Sequence, residues 1–346
     1  MFAPIPLSDC RVGRKYLLDR AEIDPSAGTA VMLAVPYFSR AAADPARNLS
    51  AYAVPRDYHL FFRDLFGDLL PRLRERFPEE KFAGFADHSP IDERDAAARA
   101  GLGIIGRNGM LITKPYSSYV FLGELITTKV VPYAAREIRY CEDCGACRRA
   151  CPMEEIGTCL SALTQKKGAL TDAEVESIRR FGSVWGCDIC GEVCPHTRRA
   201  LREGTVYSEI PFFSEQTVSR LTLAELDAME DEEFRSRAFA WRGRETVRRN
   251  LLLFEGDKPR FAEPMRMHGM PRSRRRCAPV WSTAGGAFCW FPSNRHTSAK
   301  SSLPMRSHRM RGGPLKFSAF RGLPIRFSVS AAVPSPQASK MPRGRF

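Results

Sequence analysis

Short apolar runs alternate with stretches of helical period over the first 135 residues of the chain. "TAVMLAVPYF" (29–38) is apolar, rich in β-branched residues and closed by a proline, which predicts a buried strand. In "DYHLFFRDLFGDLLPRLRERF" (57–77), Leu60, Phe61, Leu65, Leu69, Leu73 and Phe77 recur at helical spacing, and Pro71 predicts a kink or break. "KFAGFAD" (81–87) reads as another short strand. "SPIDERDAAARAG" (89–101) has Ser89 as N-cap, Pro90 at the first helical position, Asp92 and Glu93 in the first turn and Gly101 at the end, so one helix is expected there. "SSYVFLGELITTKVV" (117–131) is β-branched and aromatic and reads as strand. Helices separated by strands predict an α/β or α+β core for residues 1–135. A helical segment follows over 220–255, including Thr222 and "LAELDAMEDEEF".

Charge changes the picture of the C-terminal end. The net charge of +14 over 346 residues is not spread evenly. All 39 Asp and Glu, but only 37 of the 53 Lys and Arg, lie in the first 263 residues, which leaves that part at −2. From about residue 257 Arg, Pro, Ser and Gly dominate without periodicity, the composition of a disordered basic tail or of an out-of-frame reading. The folded part is therefore no general polyanion binder, and a tail tethering nucleic acid would lack aromatic interleaving. No apolar run reaches 18 residues and the N-terminus lacks a secretory layout, so a cytoplasmic protein without a membrane span is expected. In that compartment eleven cysteines read as ligands or catalysts rather than disulfides.

Eight of the cysteines form one constellation. Cys141, Cys144, Cys147 and Cys151 follow one another at spacings x2, x2 and x3 and end at Pro152. Cys187, Cys190 and Cys194 follow at x2 and x3 and end at Pro195, with Cys159 between the runs. Eight thiolates suit two [4Fe-4S] clusters, because soft sulfur matches iron and a tight loop converges three ligands on one cubane. The cysteine before proline serves the other cluster in such pairs. One cluster then takes Cys141, Cys144, Cys147 and Cys194, and the second Cys151, Cys159, Cys187 and Cys190. A pair of zinc ribbons is the rival reading, but it leaves Cys147 and both Cys-Pro endings without a purpose. Cys10, Cys277 and Cys289 read as ordinary thiols.

Two clusters make an electron conduit, and the first 135 residues should receive the electrons. Here "YAVPRDYH" (52–59), "DHSPIDERDAAARAGLGIIGRNGMLI" (87–112), "FLGELIT" (121–127), "CLSALTQKKG" (159–168) and "WGCDICGEVCP" (185–195) resemble the epoxyqueuosine reductases, with a weaker echo in "FAWRGRETVRRN" (239–250). The resemblance implies an α+β fold: a reductive-dehalogenase-like cobalamin-binding core (1–135), a ferredoxin-like domain with two [4Fe-4S] clusters (136–200), a helical segment completing the core (201–256) and the tail (257–346). It implies an oxidoreductase that reduces the epoxide of a modified tRNA wobble nucleoside to an alkene, with cobalamin as cofactor and a low-potential electron donor as partner. A monomer is expected.

By the same resemblance Asp87, opening "DHSPIDE", is the proton donor. A carboxylic acid fills that role only if protonated near neutral pH, which burial favours and a following helix N-terminus opposes. A second helix-capping acid is the structural alternative. Arg107 and Asn108 of "GRNG" match positions beside the corrinoid, Ser161 a position close to it, and Lys167 a tRNA contact; a basic patch of Arg148, Arg149, Lys166 and Lys167 is the expected nucleic-acid surface. The spacing of "GRNG" fits neither a P-loop nor a dinucleotide fingerprint. The chain departs from the family in lacking its N-terminal Met/Trp/Arg motif, in the x7 gap between Cys151 and Cys159, and in His196 after Cys-Pro. An electron-transfer protein without a corrinoid is the alternative reading.

Overall fold

The computed structural model of the chain describes residues 1–153 and 158–254. The expected tail, with Cys277 and Cys289, lies outside the described residues. In chain order the first half contains β1 (Phe2–Pro6), α1 (Lys15–Arg20), β2 (Thr29–Pro36), α2 (Tyr58–Arg76), β3 (Phe82–Phe85), α3 (Glu93–Arg99), β4 (Gly103–Ile105), β5 (Leu111–Thr113) and β6 (Val120–Thr127). The second half is helical: α4 (Ala146–Ala150), α5 (Leu160–Thr164), α6 (Asp172–Phe181), α7 (Ile189–Glu192), α8 (Pro195–Glu203), α9 (Pro211–Ser214), α10 (Leu223–Ala228), α11 (Asp231–Arg235) and α12 (Arg244–Leu252). No helix among the described residues is long and apolar enough to cross a membrane.

Four strands form an antiparallel sheet in the order β1-β2-β6-β3, with Met32 opposite Glu124 and Phe82 opposite Thr127 in the register. Side chains on a strand alternate between faces, and β2 divides accordingly. Ala30, Met32 and Ala34 join the core that contains Ala96, Ala97 and Ala98 of α3. Val31, Leu33 and Val35 join the aromatic core of Phe61, Phe62 and Phe66 of α2. The sheet is thus sandwiched between α2 and α3. Small residues set the spacing on both sides. A Cβ at Gly123 would stand 2.4 Å from the ring of Phe62, and one at Gly84 equally close to Phe66, so the strands admit the α2 rings only through glycine.

Two expectations change. The helix predicted to start at Ser89 starts at Glu93, with the Asp92 carboxylate accepting the Asp95 N–H at 3.2 Å as its cap. Ser89 is not free to cap: its buried hydroxyl donates to Glu124 and accepts the Ile91 N–H at 3.1 Å. The Pro90 carbonyl meanwhile takes the N–H groups of Gly13 and Arg14. Pro71, expected to kink or break its helix, lies inside an unbroken α2. Both Pro71 and Gly67, whose carbonyl loses its usual donor, are exposed, so water can serve that oxygen. Thr222, as expected, caps a helix: it forms a reciprocal box with Glu225 at the start of α10.

The cysteine-rich segment is bound to this core at several points. Trp185 is fully buried, donates its indole N–H to the Tyr52 hydroxyl at 2.9 Å, and pairs with Leu49 as a parallel bridge. Asn250 of α12, also fully buried, donates to the carbonyls of Thr164 and Val184 at 2.7 and 2.8 Å.

Candidate redox site

The first cysteine run begins where residues 139–141 lie beside β4: the Ile105 N–H donates to the Arg139 carbonyl and the Cys141 N–H to the Ile105 carbonyl. Asp143 (φ 47°) and Gly145 (φ 71°) take left-handed conformations, which turn the loop into α4 and bring Cys147 round toward Cys141. The second run crosses α7, which carries Cys190, and reaches Cys194 as the N-cap of α8. Pro195 there occupies a first-turn position whose missing N–H costs nothing.

These turns gather Cys141, Cys144, Cys147 and Cys194 around one pocket of about 60 Å³, whose wall also includes Arg107, Asn108, Ile112 and His196. They are the four thiols that the rule of the cysteine before proline groups together. The Arg107 backbone N–H donates to Cys141 Sγ at 3.2 Å, and His196 Nε2 lies 3.3 Å from Glu142 Oε2, tying the two runs across the pocket. Among the described residues, no three His, Cys, Asp or Glu side chains close on a point as tightly as a single ion draws its ligands. The four thiols instead line the wall of a space between them.

The other four thiols also neighbour one another. Burial raises the Cys190 thiol, and Cys159, Cys147 and Cys151 add to the effect, while a hydrogen bond with Asn108 opposes it. Cys187 is pushed up to about 12 by burial, with Asp188, Cys190 and Cys159 adding to it. Such thiols stay protonated until a metal displaces the proton. The donor set and its grouping fit two multi-iron clusters.

A clamp that the sequence reading did not anticipate holds the second run. Asp188, between Cys187 and Ile189, accepts hydrogen bonds at 2.7 Å from Arg47 Nη1, the Ser50 hydroxyl and the Ala51 N–H. Arg47 also pairs with Glu192. The Asp188 and Arg47 side chains are only 11% and 15% exposed. Removing one partner of a buried pair leaves the other uncompensated. Asp188→Ala is therefore expected to cost about 3 kcal/mol, the lower end for such losses because Glu192 remains for Arg47. Denaturant unfolding of the iron-loaded protein measures it.

On the other side of the β4–β5 hairpin lies an open cleft of about 180 Å³, walled by Tyr58, Met110, Leu111, Val120, Phe121 and Leu122, with Asp87, Glu93, Arg94 and Ser118 at its polar positions. Asp87 sits between β3 and α3 with φ 63°, a left-handed conformation uncommon for any residue but glycine. Its N–H donates to Glu93 Oε1 at 3.1 Å. Behind it, Glu124 is fully buried at the centre of β6 and raised well above the usual carboxylate range, first by burial and then by Glu93. A charged residue inside the apolar run "FLGELIT" was the signal for this buried acid.

Asp87 itself is not buried. Its side chain is 69% exposed, and the His59 imidazole, whose Nε2 stands 3.7 Å from Oδ2, holds its carboxyl below the usual range. The protonated state that burial was expected to favour is not the one these neighbours favour, and the capping alternative falls to Asp92.

Arg107, Asn108 and Ser161 stand near the thiols, and Lys167 on the surface. Arg107 and Asn108 form the turn between β4 and β5, on the wall of the cysteine pocket rather than in the apolar cleft. Ser161, on α5 two residues after Cys159, accepts the Gln165 side-chain N–H at 3.0 Å. Lys167 is exposed, between two residues whose carbonyls both receive Arg249. Lys166 of the expected basic patch is engaged with Glu174 at 2.8 Å.

Clustered thiols beside a cleft bearing an exposed acid suit one class of protein, the oxidoreductases. Comparisons with known proteins make it specific. Residues 18–88 match the family model described as "Epoxyqueuosine reductase QueG, DUF1730". The epoxyqueuosine reductase of Gloeobacter violaceus is 32% identical over 62% of this chain and 71% of its own length. That of Synechocystis sp. is 31% identical over 59% of this chain and 75% of its own. A crystal structure of epoxyqueuosine reductase with an epoxyqueuosine-modified tRNA-Tyr stem loop superposes with a TM-score of 0.58 at 25% identity, covering 73% of this chain and 76% of that one. The chain belongs to the epoxyqueuosine reductase family, and is an oxidoreductase.

Proposed function

We propose that this protein reduces epoxyqueuosine to queuosine in tRNA, in the cytoplasm, using two [4Fe-4S] clusters and cobalamin. The observation that carries the reading is the β4–β5 hairpin. Arg107, Asn108 and Ile112 line the cysteine pocket, while Met110 and Leu111, from the same hairpin, line the cleft that holds Asp87. Clusters held by these thiols would therefore lie one short element from the cleft.

Cys141, Cys144, Cys147 and Cys194 would hold one cluster and Cys151, Cys159, Cys187 and Cys190 the other. The apolar wall of Tyr58, Met110, Leu111 and Phe121 suits the face of a flat macrocycle, with Arg94 a donor at its edge. Bound there, cobalamin supplies a strongly reducing metal centre. Asp87, at a polar position of that cleft, would deliver a proton to the departing epoxide oxygen. Arg107, Asn108 and Ser161 would act from the thiol side, and Lys167, with Arg148 and Arg149, on the tRNA backbone. An external low-potential donor fills the clusters, and a monomer suffices for all of these roles.

Anaerobic reconstitution with iron, sulfide and cobalamin, followed by metal analysis, spin resonance and assay on epoxyqueuosine tRNA, tests the reading. About eight irons and one retained corrinoid per chain, with turnover, are expected. Eight irons with no corrinoid would leave an electron carrier, and stoichiometric zinc in place of iron would remove the redox function altogether.

A further inference from the structure

Converting an epoxide to an alkene breaks both of its C–O bonds, takes up two electrons and two protons, and releases the oxygen as water. The family's reductase activity accounts for the electrons. Protons are harder to find: Asp87 carries one at most, and the cleft must be recharged before the next turnover. We propose that His59 is a second proton-transfer residue, which stores the proton that Asp87 passes on and replaces it from solvent. The proposal rests on the reading of Asp87 as the donor.

The geometry is specific. His59 stands in the first turn of α2, and its two ring nitrogens face two different carboxylates. Nδ1 lies 2.8 Å from Oδ1 of Asp57, the N-cap of α2, which also accepts the His59 backbone N–H at 3.0 Å. Asp57 is itself fixed, since its N–H donates to the Ser236 carbonyl at 2.8 Å. That leaves Nε2 directed at Asp87 Oδ2, 3.7 Å away. Such a separation is beyond a direct hydrogen bond, but a small approach on substrate binding or one intervening water closes it. The Tyr58 ring stacks on the imidazole at 4.2 Å and is itself part of the cleft wall. The His59 side chain is 49% exposed, which gives the relay its outlet to solvent.

The surrounding charges favour a loaded imidazole. Asp57 on its own helix and Asp87 from the β3–α3 loop face it; Arg14, ahead of α1, and His88 act on Asp87, and Glu93 of α3 holds the Asp87 N–H. The N-terminus of α2 should disfavour a cation. The two carboxylates nevertheless prevail, raising His59 to about 9 while Asp87 is lowered. At neutral pH the pair therefore rests as imidazolium and carboxylate. The proton lies on His59, one transfer from Asp87 and two from the epoxide oxygen. After delivery, solvent reprotonates the imidazole, and the second proton follows the same path.

Two measurements test this. In the first, side-chain NMR of isotope-labelled histidine follows the titration of His59, assigned among the six histidines by its loss in His59→Gln. It needs no cofactor. His59 should titrate near 9 in the wild type and move down toward the ordinary 6.5 in Asp87→Asn. The second is the pH profile of turnover on epoxyqueuosine tRNA. The wild-type kcat should fall as pH rises through about 9. His59→Gln should lower kcat about 100-fold, leave KM unchanged, abolish that limb, and recover activity with added imidazole. An unchanged kcat and pH limb in His59→Gln would overturn the proposal, as would a His59 titration indifferent to Asp87→Asn, which decides the matter even if His59→Gln does not fold. An inactive wild type would instead overturn the substrate reading.

Discussion

Asp87→Asn lowers turnover of epoxyqueuosine tRNA by about 10²–10⁴-fold, the usual worth of a positioned general acid. The substitution removes the ionisable carboxyl, and with it the charge facing His59, while keeping the backbone. Asn is nearly isosteric with Asp and is among the residues most tolerant of the left-handed backbone that Asp87 adopts at φ 63°. The hydrogen bond to Glu93 is made by the main-chain N–H and survives. Iron content should therefore match the wild type, and single-turnover assays should place the loss in the chemical step. Retained turnover would reduce Asp87 to an exposed loop residue. The charge pair also has a pH window. Asp87, lowered, contributes stability above its unfolded value near 3.9, which is lost as pH falls. His59, raised, contributes below about 6.5 and loses its contribution as pH rises through about 9.

Cys194→Ala should halve the iron, from about eight to about four atoms per chain, and remove one of two cluster signals in the reduced protein. Cys194 brings the second run into the pocket of Cys141, Cys144 and Cys147, so no nearby thiol of its own run takes its place there. Its backbone role as N-cap of α8, with Pro195 behind it, does not need the sulfur. Cys10→Ala is the control. That thiol is buried, donates to the Pro6 carbonyl at 3.6 Å and is pushed up to about 12 by burial, so its loss should leave the iron unchanged. Equal iron in both variants would sink the assignment of ligands.

What the chain discloses before folding follows the range of the interactions. β2, β3, β6 and α2 were legible because the burial of alternate or helical-period positions is written locally. The grouping of Cys194 with the first run was legible too, since in paired runs of this kind the cysteine before proline joins the other run. The start of α3 was not. Ser89 has every local mark of a cap, but a buried carboxylate on β6, 35 residues away, claims its hydroxyl. The same limit hid the Arg47–Asp188 clamp, whose partners stand 141 positions apart. His59 lay in plain view within "PRDYH", yet only the folded chain sets it between Asp57 and Asp87.

The hairpin of β4 and β5 carries a consequence for how this protein can change over generations. One face of a few residues borders the cysteine pocket and the other borders the cleft of Asp87, so a substitution there is judged twice by selection. Divergence confined to the cleft is then channelled to the β6 wall, at Val120 and Leu122, which line the cleft without belonging to the hairpin.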